Sequence, residues 1–256
     1  MKLHALRHTA KYGKRIAHEV LRILFGCPEG ARKWRISYFA MLLHSKKARV
    51  WDAATALCAL SGVLLAVTAG DGFMGAASSL LYFTMQSGLL SGLTAAVSAA
   101  ARRRGALPRW LMTLRHVTST GSALTFCVFW LMLAPQFGLA YVLTLSNLFN
   151  HLLTPVLAVA GYLSFDRDRP AAQRSWLWAL CEPLCYLLFS FTVACRAKKP
   201  AFDGHRYPYF FLDHERNGWF RVSKKRLGTA WWIALLCAAV LGLSHLLLRL
   251  RKKKKH

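Results

Sequence analysis

Apolar runs of spanning length constrain this chain more than any other feature in it. Six stretches, near residues 50–69, 73–100, 111–134, 140–165, 175–195 and 229–250, are long enough to cross a hydrocarbon layer about 30 Å thick as helices. In lipid such segments must satisfy their backbone hydrogen bonds internally, which selects helices. The sequence therefore predicts an all-α polytopic membrane protein. Its six-transmembrane-helix bundle would occupy residues 50–250, with a basic N-terminal arm at 1–49 and a basic C-terminal tail at 251–256. Composition fits this reading: 55% hydrophobic residues coexist with a formal net charge of +25, which requires the charge to lie in blocks outside the runs. Nothing is left over for a soluble catalytic domain.

Charge placement orients the bundle. Arg102, Arg103, Arg104 and Arg109 follow the second run, and the arm and the tail "RLRKKKKH" are dense in Lys and Arg, so both termini are expected on the cytoplasmic side. The links "AGDGF" and "APQFG" lack Lys and Arg, as external loops should; the segment from Arg196 to Arg226 is basic and strains the rule. In the arm, Leu3, Leu6, Ala10, Ile16, Val20 and Leu24 recur at helical spacing between Lys11, Lys14, Arg15 and Arg22. That pattern predicts a basic amphipathic helix, and it makes anionic lipid headgroups the expected partners of arm and tail. No nucleic acid partner is expected, because no recognised fold or base-stacking pattern accompanies the charge.

Familiar soluble chemistry is missing. The chain has no Walker loop, dinucleotide fingerprint or HExxH, and no CxxC pair among its cysteines, so no cofactor and no metal site is expected. Any chemistry must be built from polar side chains inside the spans, where each is costly to keep. His151 stands out in "SNLFNHLLTPVLAV": counted from Ala140 it lies roughly 16 Å deep at 1.5 Å per residue. Asn147, one turn earlier, could hold one ring nitrogen, and Pro155, one turn later, should bend the helix and leave the carbonyl of residue 151 without its usual donor. Thr84 in "LLYFTMQSGLLSGL" lies at the same depth when counted from Phe73. A hydroxyl and an imidazole at one depth could form a nucleophile and its base, with Asn147, Asn150, Ser87, Gln86 and Tyr82 as candidate supporting or oxyanion-binding residues. The plain alternative is that both residues only fasten helices.

Glu182 is the only acid well inside a run; it could orient His151, bind a cation or remain protonated. Arg115 and His116, near the inner end of the third run, are expected to snorkel to the headgroups. The loop "HRYPYFFLDHE" offers Tyr207, Pro208 and Asp213, read either as an aromatic belt or as part of a site.

"YFTMQSGLL", "NHLLTP", "EPLCYLLF" and "RYPYFFLD", in that order, resemble the androgen-induced and androgen-dependent TFPI-regulating integral membrane protein family, in particular its bacterial six-helix relatives. The resemblance covers about residues 50–250 and departs from the family pattern at Gly88, Gly161 and Glu182. It implies a threonine hydrolase in a bacterial cytoplasmic membrane that cleaves lipid esters, such as fatty acid esters of hydroxy fatty acids. Thr84 would be the nucleophile and His151 its partner, with Tyr186, Tyr207, Pro208 and Asp213 near the substrate. Two readings compete: a transporter or channel relaying protons or ions through His151 and Glu182, and a lipid-binding scaffold or sensor.

Overall fold

The computed structural model describes residues 29–69, 75, 76, 78–166, 174–197, 202, 205–224 and 226–252. The expected amphipathic helix within the first 26 residues lies outside them. The chain divides into two units, 1–47 and 48–256. Helix α1, Glu29–Ala69, crosses that division, and the packing and cavities described below belong to the second unit.

Helices follow in chain order: α2 (Phe83–Ala101), α3 (Arg109–Gln136), α4 (Leu145–Phe165), α5 (Ser175–Arg196) and α6 (Thr229–Lys252). Five stretches, Ser45–Ala69 of α1, α3, α4, α5 and Thr229–Arg251 of α6, are long and apolar enough to cross a membrane, which marks the chain as an integral membrane protein. The second apolar run forms α2, 19 residues long, whose buried face carries Thr84, Ser87, Gly88, Ser91, Thr94 and Ser98. Those small polar residues lower its hydropathy and bring it close to α3.

Helix α3 is the hub, packing on α2, α4, α5 and α6. Its buried stripe of His116, Thr118, Ser119, Thr120, Gly121, Ser122 and Thr125 has little side-chain bulk after the imidazole, so neighbouring backbones approach closely. Hydrogen bonds then tie the helices. The Ser91 and Ser122 hydroxyls meet at 2.9 Å, Ser119 Oγ donates to the Ala158 carbonyl at 3.3 Å, and His116 Nε2 meets Ser244 Oγ at 2.8 Å. Trp51 Nε1 donates to the Leu157 carbonyl (2.8 Å) and Asn150 Nδ2 to the Gly62 carbonyl (2.9 Å), fixing α1 to α4.

One end of the bundle is closed by charge. Arg102 binds Asp52 at 2.7 Å and Asp166 at 2.5 Å, and Arg115 binds the same two carboxylates at 2.9 and 2.5 Å. Arg115 does not snorkel, because the fully buried Asp52 and Asp166 supply acceptors that headgroups would otherwise provide. His116 is likewise fully buried, held by Ser244 and packed against Tyr162. The other end is covered by the segment 205–224. Tyr207, Phe211 and Leu212 are buried there against Ala194 and, more peripherally, Leu187 and Trp232. The Tyr-Pro loop is thus a folded cap, and not simply a belt at headgroup level.

Candidate active site

Thr84 sits on the first turn of α2. Counting depth from Phe73 assumed that the helix began there, but the chain makes a short 3-10 turn at Ser79–Leu81, turns extended at Tyr82 and only then becomes α-helical at Phe83. Gly75 and Ser78 precede this break, and such residues favour turns over helix interiors. Position at a helix start changes the chemistry. The first main-chain bonds of α2 run from Met85 and Gln86 to the Tyr82 carbonyl, so the N–H groups of Phe83 and Thr84 have no acceptor within the helix.

His151 sits in a π-turn, Phe149–Leu153, set immediately before Pro155. The proline cannot supply an N–H to the carbonyl of residue 151, and the wider turn absorbs the mismatch. That carbonyl instead accepts from the indole of Trp130, at 3.0 Å, so the expected bare acceptor is filled from α3. The Asn147 amide donates to the Tyr141 carbonyl at 2.8 Å and leaves the histidine ring alone. The ring stacks on Phe129, with centroids 3.7 Å apart and planes 11° apart, and its Nδ1 is buried with no hydrogen-bond partner.

Thr84 and His151 line one cavity of about 80 Å³, walled by Phe129, Leu124, Pro183, Tyr186, Tyr209 and Phe211 among others. Shared depth, argued from a mistaken helix start, thus named two residues that do converge. Tyr209 reaches this cavity where Tyr207 and Pro208 do not; both of those are buried within the cap. The Tyr209 hydroxyl comes into hydrogen-bonding range of the Thr84 side chain, the Phe83 and Thr84 backbone at the start of α2, and the Tyr186 hydroxyl. Burial pushes this phenol up to about 12, so it is an uncharged hydroxyl at neutral pH. The sequence offered one usable signal for it, the alternation in "YPYF" that turns Tyr207 and Tyr209 to comparable faces, and no means of choosing between them.

The remaining candidates separate into fasteners and a second group. Asn150 ties α4 to α1 and to Ser146, Tyr82 is a buried ring between Phe202 and Tyr209, and Asp213 accepts from the Arg216 N–H at 3.0 Å as a helix cap. Gln86, Ser87 and Glu182 line a separate and larger groove, and only Tyr186 and Phe83 border both spaces. Glu182 therefore does not orient His151. Among the described residues no three His, Cys, Asp or Glu side chains converge as a metal site would require. Comparison with protein-family models, curated proteins and solved structures finds no match to this chain.

Proposed function

We propose that this protein is an intramembrane ester hydrolase with Thr84 as nucleophile and His151 as general base, acting on lipid esters of the kind formed between fatty acids and hydroxy fatty acids. The observation that carries the reading is the convergence of these two side chains, from separate helices, on one apolar cavity. The imidazole of His151 supports it: its Nδ1 is buried without a hydrogen-bond partner and the ring packs on Phe129, whereas the ring of His116, its Nδ1 also unpartnered, is fastened through Nε2 to Ser244. A histidine kept in hydrocarbon without a fastening role is a candidate for proton transfer.

In this mechanism Thr84 Oγ attacks the ester carbonyl while His151 accepts its proton. Collapse of the tetrahedral intermediate breaks the bond to the alcohol oxygen, which takes that proton back from His151 as it leaves. Water, deprotonated by His151, then attacks the threonine ester, and collapse of that intermediate breaks the bond to Thr84 Oγ, which takes the proton back from His151 as the fatty acid is released. The developing oxyanion would be met by the Phe83 and Thr84 N–H groups at the start of α2, with the Tyr209 hydroxyl, which occupies that position at rest, adding a donor. No step needs a cofactor.

The finer topology belongs to the same proposal. Counting α2, the bundle crosses a bacterial cytoplasmic membrane six times, with both termini cytoplasmic and the basic arm and tail against anionic headgroups. The ion-paired end then faces the cytoplasm and the capped end faces outward. Single cysteines at Gly105 and Gly138, in a cysteine-free background, test it: an impermeant maleimide should label only Gly138 on intact cells. A proton or ion path through both His151 and Glu182 is disfavoured, because the two residues border different spaces. The test of function is release of fatty acid from a hydroxy-fatty-acid ester by the purified protein, compared with Thr84→Ala and Thr84→Ser. Activity unchanged in Thr84→Ala would overturn the mechanism.

A further inference from the structure

The larger groove, of about 880 Å³, lies between α2, α3 and α5. It follows α2 from Phe83 to Leu93, roughly 15 Å at the helical rise. Its rim residues Leu93, Trp110 and Trp178 are exposed by half or more, and two of its three walls are spanning helices, so what surrounds it is lipid. A groove of this shape and lining takes a hydrocarbon chain.

Two groups in its wall are out of keeping with that lining. Both carboxyl oxygens of Glu182 and the hydroxyl of Ser87 are buried and lack a full hydrogen bond, although the two side chains are close enough to interact. Room for the carboxyl is made by Gly121 of α3, where a Cβ would collide with it. The contrast with Asp52 and Asp166 is direct: those buried acids are each bound by two guanidinium groups. Polar groups left unsatisfied in hydrocarbon are costly, so an occupant that satisfies them is held there. A hydroxyl both donates and accepts, which matches an acceptor-rich carboxyl beside a Ser hydroxyl, and it brings no further charge into the bilayer.

We propose that this groove binds the hydrocarbon chain of a bilayer lipid bearing a hydroxyl along the chain, with Glu182 and Ser87 holding that hydroxyl. Phe83 and Tyr186 form the partition between groove and cavity, their rings edge-on at 5.3 Å, with the Tyr186 hydroxyl fixed on the Leu81 carbonyl at 3.1 Å. A chain in the groove therefore lies one aromatic pair away from Thr84. The binding site stands apart from the hydrolase reading, since holding a chain requires nothing of Thr84 or His151.

The test uses the full chain in lipid nanodiscs and photoreactive eighteen-carbon probes with a terminal diazirine: one with a mid-chain hydroxyl, one without, and one with an amine in its place. Adducts are quantified on the α2 and α5 peptides by mass spectrometry. The hydroxyl probe should be captured roughly three- to tenfold better than the plain chain, the range one net hydrogen bond or two would give. Glu182→Leu and Ser87→Ala should bring its capture down to the plain-chain level, and Glu182→Gln should keep most of it. Leu90→Trp, which fills the groove from α2, should depress all three probes and serves where Glu182→Leu does not insert. Equal capture of the hydroxyl and plain probes, a hydroxyl preference that survives both Glu182→Leu and Ser87→Ala, undiminished capture in Leu90→Trp, or stronger capture of the amine would each overturn the proposal. Thr84→Ala should leave every capture yield in place, so a failed hydrolase and a failed lipid site are told apart.

Discussion

Two ends of this bundle hold polar residues inside a membrane protein, and they treat them in opposite ways. At the charged end, two arginines and two aspartates bind one another completely, each guanidinium reaching both carboxylates. Toward the capped end, the Nδ1 of His151 has no hydrogen-bond partner, and deeper in the bundle, near the start of α5, the Glu182 oxygens make no full hydrogen bond. Desolvation penalises all of these groups, so the difference lies in what offsets it. Groups bound to one another fasten helices, whereas unpartnered groups that border an open space, as His151 and Glu182 do, are placed to meet something that is not part of the fold. A polar residue in a span is therefore informative about function only once its partners are known.

The sharpest way to break this comparison is to remove one group from each end. Thr84→Ala should lower ester cleavage by roughly a thousandfold or more, about 4 kcal/mol of transition-state stabilisation, with unfolding in detergent hardly changed. Thr84→Ser should retain part of the activity. Arg115→Met should do the reverse. It strands Asp52 and Asp166 with one guanidinium between them, and loss of one member of a buried ion network costs about 3–5 kcal/mol, read as a lowered unfolding midpoint with activity per folded molecule retained. If Arg115→Met abolished turnover in protein that remained fully folded, the charged end would be part of the chemistry and the division would fail.

A smaller effect is expected where the two kinds of residue meet. Trp130→Phe keeps the ring against Phe126 and Phe129 but removes the donor to the His151 carbonyl. A buried carbonyl left unpaired costs about 1–3 kcal/mol, and release of the π-turn should also lower activity by roughly tenfold, separating a positioning role from a purely structural one. Stability lost with unchanged kcat would show that the turn holds His151 without the indole.

The sequence was most legible where the physics is one-dimensional. Runs at 111–134, 175–195 and 229–250 became helices at 109–136, 175–196 and 229–252, because length and hydropathy settle spanning segments. The charged cluster is legible in principle as well: Asp52, Arg102, Arg115 and Asp166 fall at the same-side ends of four successive runs, whereas Arg115 taken alone predicts a snorkelling side chain. What composition could not give was register. Pro155 announced a defect in α4, but a π-turn and a kink place Asn147 differently with respect to His151, and only packing against Trp130 and Phe129 decides between them. Tyr209 was illegible for the same reason, since its role depends on how the cap folds back onto α2.

The smallest predicted effect concerns Gly88, and it carries the comparison into a single hydrogen bond. A Cβ at Gly88 would stand 3.5 Å from Val63 Cγ2 and 3.9 Å from Asn150 Oδ1, ordinary contacts that need no shift. Asn150 Oδ1 is itself buried without a partner, while its Nδ2 holds the Gly62 carbonyl of α1. Gly88→Ser would place a hydroxyl donor beside this orphan acceptor and remove a glycine from a helix interior. Each change is worth roughly 0.5–1 kcal/mol, so the variant should unfold at a modestly higher midpoint. Gly88→Ala separates the two contributions, keeping the helix gain without the hydrogen bond. Gly62→Ala is the counter-test on the facing helix: a Cβ there lies 2.9 Å from Phe149 Cβ and overlaps the Asn150 amide, so it should destabilise the protein and displace the π-turn. If Gly88→Ser proved no more stable than Gly88→Ala, the Asn150 acceptor would have a partner such as water already. It would then belong with the satisfied residues of the charged end, not with the waiting groups of the site.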